Sequence, residues 1–155
     1  MADWAEMEEQ APDIAAAGRQ LFFYPGFGFG YFATVRRDGG PRVHPVNPLI
    51  FGPTLGLFVV PSPKLADLRR DGRYALHSVG AETVNDEFYV TGTAREVPDG
   101  DRRGAAVSAY HGPVAVDHLL FELDIERVLW ARYADPPAWP PHYRHWTARS
   151  SAGAE

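Results

Sequence analysis

The sequence predicts a mainly β protein, an antiparallel barrel of short strands with few helices, and three observations carry that prediction. Aromatic residues make up 13% of the chain, and 15 glycines and 14 prolines interrupt it often. That balance suits short strands and many turns better than a helical bundle. Aromatic and β-branched runs recur along the chain with turn residues between them, enough for six or seven strands. Helices do not alternate with these runs as a doubly wound sheet requires, so closure of one antiparallel sheet on itself is the way to remove exposed edges.

The elements follow in chain order. Residues 3–23 read as one or two short helices, with Pro12 and Asp13 suited to a first turn and Ile14, Ala17 and Leu21 on one face. "YPGFGFG" breaks that pattern. "FGYFATVR" is the first strand, "RDGGP" the tight turn, and "RVHPVNPLIF" the returning strand of a hairpin. Pro45 and Pro48 lie inside that strand and donate no backbone hydrogen bond, so they belong at an edge, at a bulge or where an N–H would face no neighbour. "LGLFVV" is a third strand, and "PSPKLADLRRDG" a short helix that seats Leu65 and Leu68 and leaves Lys64, Asp67, Arg69 and Arg70 to solvent. "RYALHSV" and "EFYVTGTAREV" are strands, and "PDGDRRGAAVSAYHG" is a helix entered through Pro98 and Asp99. "DHLLFELDIERVLWARY" is two strands or one long bent one. This divides the chain into an N-terminal helical segment (1–28), a barrel domain (29–134) and an extended tail (135–155), with no internal repeat.

Composition narrows the function. A chain of 155 residues with 45% hydrophobic content is sized for one core. Its formal net charge of −5 argues against a nucleic-acid partner, which needs a basic face to neutralise phosphates. Any local basic patch is then aimed at something small. Zero cysteines exclude disulfides and thiolate metal sites. The opening "MADWAEMEEQ" is acidic and lacks the apolar run of a signal peptide, and no run reaches the roughly 18 apolar residues of a membrane span. A cytoplasmic protein with no membrane partner is expected.

Among possible sites, "SPK" before a short helix is a physical anion cradle. Backbone N–H groups at a helix start, a hydroxyl and an ammonium all favour a bound phosphate. The plainer alternative is a helix cap at Ser62 and a solvated charge at Lys64. Arg42 and Arg69 are secondary phosphate candidates, close in sheet register or in sequence. Gly26, Gly28 and Gly30 lack the preceding strand and following helix of a dinucleotide loop and read as a flexible entry to the first strand. His44 shares a strand face with Arg42 and suits either acid–base chemistry or an ordinary strand position, and His77 is judged the same way. Asp86 and Glu87 are neighbours on a strand and face opposite ways, so they form no acid–base pair. His142 and His145 have metal-like spacing, but Pro140 and Pro141 oppose the helix that would join them, and no metal is expected. Trp130, Trp139, Tyr143 and Trp146 concentrate aromatic surface late in the chain, to pack on the barrel, cover a dimer partner or roof a planar ligand.

Taken together, "FATVRRDGGPRVHPVNPLIF", "LGLFVVPSPKLADLRRDGRYALHS" and "DEFYVTGTAREVPDGDRR" resemble, in order and spacing, three blocks of the FMN-binding split-barrel family, the group named after pyridoxamine 5'-phosphate oxidase. The match runs over most of the chain. It includes the Pro45-Val46 pair of the hairpin, the Ser- and Lys-bearing turn after a strand, and the Gly-x-Ala step of a later strand; "RHWTA" is similar to a tail seen in several members. The resemblance implies a six-stranded Greek-key split barrel with short flanking helices that forms a homodimer, with composite cofactor sites across the interface. It implies that Ser62, Pro63 and Lys64 hold the flavin phosphate and that Val46, Asn47 and Pro48 lie against the ring. Val59, Val60 and Pro61 would line the same groove, and the partner would contribute contacts for which Trp130 and Trp146 are candidates. True pyridoxamine-phosphate oxidases hold substrate with an Arg-x-His arrangement, whereas Arg144 and His145 are adjacent here, so vitamin B6 oxidation is not expected. Short relatives use FMN or the deazaflavin coenzyme F-420, and some bind haem. The implied function is an FMN-binding oxidoreductase that moves a hydride to or from a small organic substrate. The alternative is a flavin-, deazaflavin- or haem-binding module for storage, sensing or sequestration.

Overall fold

The computed structural model describes residues 1–81 and 83–149. The element order is α1 (Trp4–Gln10), α2 (Pro12–Phe22), β1 (Gly30–Val35), β2 (Pro41–Val46), β3 (Pro48–Phe51), β4 (Thr54–Val59) and α3 (Pro63–Arg70). There follow β5 (Arg73–Ser78), β6 (Glu87–Glu96), α4 (Asp101–Ala109), β7 (Leu119–Arg132) and β8 (His142–Thr147). Every strand pairing is antiparallel, in the order β2-β1-β5-β6-β7-β4-β3, with β8 added to β7.

Among the described residues the chain is therefore mainly β with four helices, but its curled sheet has eight strands rather than the expected six. Two local causes account for the difference. "RVHPVNPLIF" is split at Asn47 into β2, which pairs with β1, and β3, which pairs with β4. Because β2 and β3 are the two ends of the hydrogen-bonded path and one residue joins them, the sheet has to curl until its edges approach. Pro45 and Pro48 each flank only one strand, so their missing N–H groups interrupt no ladder on the far side. The second cause is in the tail, where His142–Thr147 is not simply extended but pairs with Arg127–Arg132 as β8. His142 and His145 lie three apart on that strand, on opposite faces.

Other elements follow the chain chemistry closely. Pro12 opens α2 at its first turn, and Ile14, Ala17 and Leu21 are buried. Gly18 lets α2 settle on the sheet, since a Cβ there would lie 2.6 Å from the Phe88 ring. In the hairpin turn Gly39 adopts φ +84°, which an L side chain resists. The run 117–133 forms one strand rather than two, bent where β6 and β7 shift register between Thr91 and Gly92. The helix after β6 starts from Gly100, not from Pro98 and Asp99.

The main core joins the N-terminal helices to the sheet: Trp4, Met7, Phe22, Phe32, Leu55, Leu76 and Phe88 are all at 0% exposure. A smaller cluster of Leu49, Phe51, Phe58, Ala106 and Leu120 holds α4 against β3. Among the described residues no helix is long and apolar enough to cross a membrane.

Candidate functional site

At the end of β4 the chain leaves the sheet through Val60 and Pro61, both exposed, and enters α3 at Pro63. A helix start leaves backbone N–H groups without intrahelical acceptors, and a serine at this position usually caps one of them. Ser62 does not. Its hydroxyl donates to the Val60 carbonyl at 2.9 Å, and it makes no side-chain cap. Leu65 and Ala66 donate to the Ser62 carbonyl at 3.0 and 3.4 Å, Pro63 has no N–H, and the Lys64 N–H meets no backbone acceptor among the described residues. The positive end of α3 is left open.

The inward face of α3 carries Lys64, Leu65, Asp67 and Leu68, all buried. Leu65 and Leu68 join the main core, as the sequence predicts. Asp67, expected in solvent, is 2% exposed and anchors the helix to two strands. Its Oδ2 accepts from Thr34 Oγ1 of β1 at 3.0 Å and from Arg42 Nε of β2 at 2.6 Å, and its Oδ1 accepts from Arg70 Nη2 at 3.3 Å. Burial alone would push this carboxyl up, but the bonds from Arg42, Thr34 and Arg70 hold it below the usual carboxylate range. Arg70 stays exposed, as the sequence predicts, and also donates to the Val35 carbonyl.

Lys64 lies one turn nearer the N-terminus on the same face. It is 9% exposed, and no ion pair to it forms among the described residues. Burial pushes its ammonium below the ordinary lysine value. Geometry identifies its neighbour. Thr34 pairs with Arg42 across the β1–β2 ladder, and Asp67 bonds both, so α3 lies across that register position. His44 lies two residues beyond Arg42 on the same face of β2, and the charge of Lys64 acts on its imidazole. His44 is half-buried, and its Nε2 is fully enclosed without a hydrogen-bond partner among the described residues. Burial first, then the positive charges of Lys64 and Arg42, push its imidazole below the usual histidine value, with Asp67 opposing.

The structure thus brings Ser62, Pro63, Lys64 and Arg42 together and adds His44 and Asp67. It holds Arg69 away. Arg69 forms a two-pronged pair with Glu96, with both N–O distances 2.8 Å. Val46 and Pro48 are buried, and Asn47 donates from Nδ2 to the Gly28 carbonyl at 2.8 Å, clasping the glycine-rich entry to β1 against the β2–β3 bend. Gly28 is needed there, because a Cβ would fall 1.7 Å from the Pro48 carbonyl oxygen. The two tryptophans serve their own barrel. Trp146 is 8% exposed in the main core and donates from Nε1 to Gln10 at 3.3 Å. Trp130 donates to Asp86 at 3.2 Å, at the opposite end of β7 from Leu119, the residue paired with Val59. Asp86 also accepts from the Tyr133 N–H at 2.9 Å and so has a structural use.

No known family model matches the sequence, and no curated protein does. Solved structures share the fold. A heme binding protein from Mycobacterium smegmatis superposes with TM-score 0.64 and 21% identity over 85% of this chain and 57% of its own. The chain therefore spans little more than half the length of that protein. An F420 reductase superposes with TM-score 0.56 and 21% identity, over 71% of this chain and 94% of its own. A NimC/NimA family protein from Clostridium acetobutylicum gives TM-score 0.62 and 13% identity, over 84% of this chain and 94% of its own. At these identities the likeness establishes the architecture.

Proposed function

We propose that the chain is an FMN-binding oxidoreductase whose phosphate site is the start of α3. The observation that supports this most is Lys64, a lysine only 9% exposed and without a counter-ion among the described residues, at the open end of a helix. Keeping a charge out of water without a partner is costly, and a phosphate placed there relieves the cost. A bound flavin ring would supply the hydride chemistry with a small organic substrate, so no acid–base side chain is required. The residues of the chain bind and orient. The Lys64 side chain and N–H donate to phosphate oxygens, joined by the Ser62 hydroxyl once it turns from Val60. Arg42 stays committed to Asp67 and stiffens the cradle. Val46 and Pro48 are buried, so at the β2–β3 bend only half-buried Asn47 and the backbone could meet the ring, while Val60, 44% exposed, and Pro61 offer open apolar surface beside the cradle. The deazaflavin coenzyme also carries a phosphate group and is the alternative ligand. A second reading, a binding module without turnover, draws on the haem-binding neighbour of the same fold.

Titration of Lys64→Ala tests the site. It should weaken FMN binding by about 1.5 to 3 kcal/mol, roughly ten- to hundredfold, while riboflavin binding changes little. Equal losses for both ligands would make Lys64 a support of the fold and end the phosphate reading.

A homodimer belongs to the same proposal. The outer face of β1, β2, β5 and β6 presents Tyr31 at 47% and Val43 at 59% exposure. Beside them lies a cleft of about 270 Å³ lined by residues including Ala33, Val35, Ala75 and Tyr89. A second copy would cover this apolar face. Sedimentation at micromolar concentration should give a dimer, and a monomer would count against sites shared between subunits.

A further inference from the structure

Among the described residues at the cradle, His44 Nε2 alone is both enclosed and unpartnered. His44 Nε2 is shut away from water and bonded to nothing among the described residues. Buried polar groups without partners are rare in native proteins, and those that persist call for a reason. We propose that His44 completes the cradle by donating from Nε2 to a phosphate monoester, and that the site therefore selects a terminal phosphate dianion and takes up a proton as it fills. This rests on the phosphate reading and adds to it the charge state of the ligand.

The charges that face His44 make the case. From β2 comes Arg42, and from α3 come Lys64 and Asp67; on β1 the residue opposite His44 is Phe32, which carries no charge. Arg42 and Asp67 are bonded to each other at 2.6 Å and largely cancel. Among the described residues Lys64 remains as one uncompensated positive charge. In the free protein a second positive charge on His44 is opposed by burial and by Lys64, so the ring stays neutral. A monoester dianion reverses that balance. Its two negative charges are matched by Lys64 and by an imidazolium at His44, whose added proton comes from solvent and supplies the Nε2–H that donates to a phosphate oxygen. A phosphodiester brings one negative charge, which Lys64 matches alone, and leaves His44 neutral. The site would accordingly distinguish a phosphoryl terminus from a phosphate embedded in a longer chain by charge as well as by shape.

The experiment follows the imidazole nitrogens of His44 by NMR in the intact protein, with His44→Gln used to assign them. Titrations from pH 5 to 9 compare the free protein with protein saturated by FMN, riboflavin, inorganic phosphate or dimethyl phosphate. FMN and inorganic phosphate should each raise the His44 midpoint by about one pH unit or more, whereas riboflavin and dimethyl phosphate should leave it in place. His44→Gln should bind FMN about tenfold more weakly and lose the tightening that wild type shows as pH falls from 8 to 6.5. The proposal is overturned if FMN binds and the His44 midpoint does not move, or if dimethyl phosphate moves it equally. The two readings separate cleanly. FMN affinity that depends on Lys64 with a stationary His44 keeps the flavin site and removes the proton coupling. A His44 midpoint that responds to inorganic phosphate in a protein that does not take FMN keeps the coupling and removes the flavin.

Discussion

Two buried charges sit one turn apart on the same face of α3, and their surroundings differ completely. Asp67 accepts hydrogen bonds from Thr34, Arg42 and Arg70, which tie the helix to β1 and β2. Lys64 has no ion pair among the described residues and lies beside a histidine whose enclosed nitrogen also lacks a partner. The first site is complete within the chain and the second is not. An ion that holds a fold together needs its partners in the same chain, because removing one strands the other; an ion meant for a ligand has to be left short of them. The contrast separates the part of α3 that is architecture from the part that the proposed function assigns to a ligand.

The strongest test removes the complete site. Asp67→Ala leaves Arg42 and Arg70 without their shared acceptor and Thr34 without its bond, and should lower unfolding stability by on the order of 3 kcal/mol in urea. The pH dependence gives the sign. Asp67 titrates lower in the folded protein than in the unfolded chain, so its stabilisation is fully present above the unfolded carboxyl value of about 3.9 and is lost as pH falls through the folded value. Wild type should show an acid-labile component that Asp67→Ala lacks. A variant as stable as wild type at neutral pH would mean that the helix is seated by Leu65 and Leu68 alone.

How much of this could be read from the sequence depends on how local each feature is. The hairpin at Asp38-Gly39, the start of α2 at Pro12 and the edge positions of Pro45 and Pro48 are dictated by backbone rules over a few residues, and the structure has them. The strand count went astray where pairing is non-local: the β2–β3 strand changes partners at Asn47, and the Pro-rich run before His142 hid a strand that forms only because β7 runs long enough to receive it. The same holds at the site. Ser62 and Lys64 form a local pattern, whereas the sequence predicts Asp67 in solvent because charged helix residues usually are. The available signal was spacing, since Lys64, Asp67 and Leu68 fall at i, i+3 and i+4 on the face that Leu65 also shares. His44 reaches Lys64 only through sheet register and helix crossing together, and no short stretch of sequence encodes that meeting.

The subtler test completes the incomplete site. Lys64→Met keeps the length of the side chain and removes its charge, so burial no longer works against it. Because the folded protein holds the Lys64 ammonium below its ordinary value, the charged form destabilises the fold wherever the unfolded lysine is protonated. The ligand-free variant should therefore gain about 1 kcal/mol at neutral pH, a rise of about 2–4 °C in Tm. The advantage should shrink as pH climbs from the folded value of Lys64 towards about 10.4, where the unfolded lysine also loses its proton. Adding FMN should reverse the ranking, stabilising wild type and leaving Lys64→Met nearly unmoved, since only a ligand that binds the folded state raises its stability. Thermal melts with and without FMN decide it. If Lys64→Met is less stable than wild type without ligand, then Lys64 is already compensated inside the chain, and the distinction between the two charges of α3 disappears.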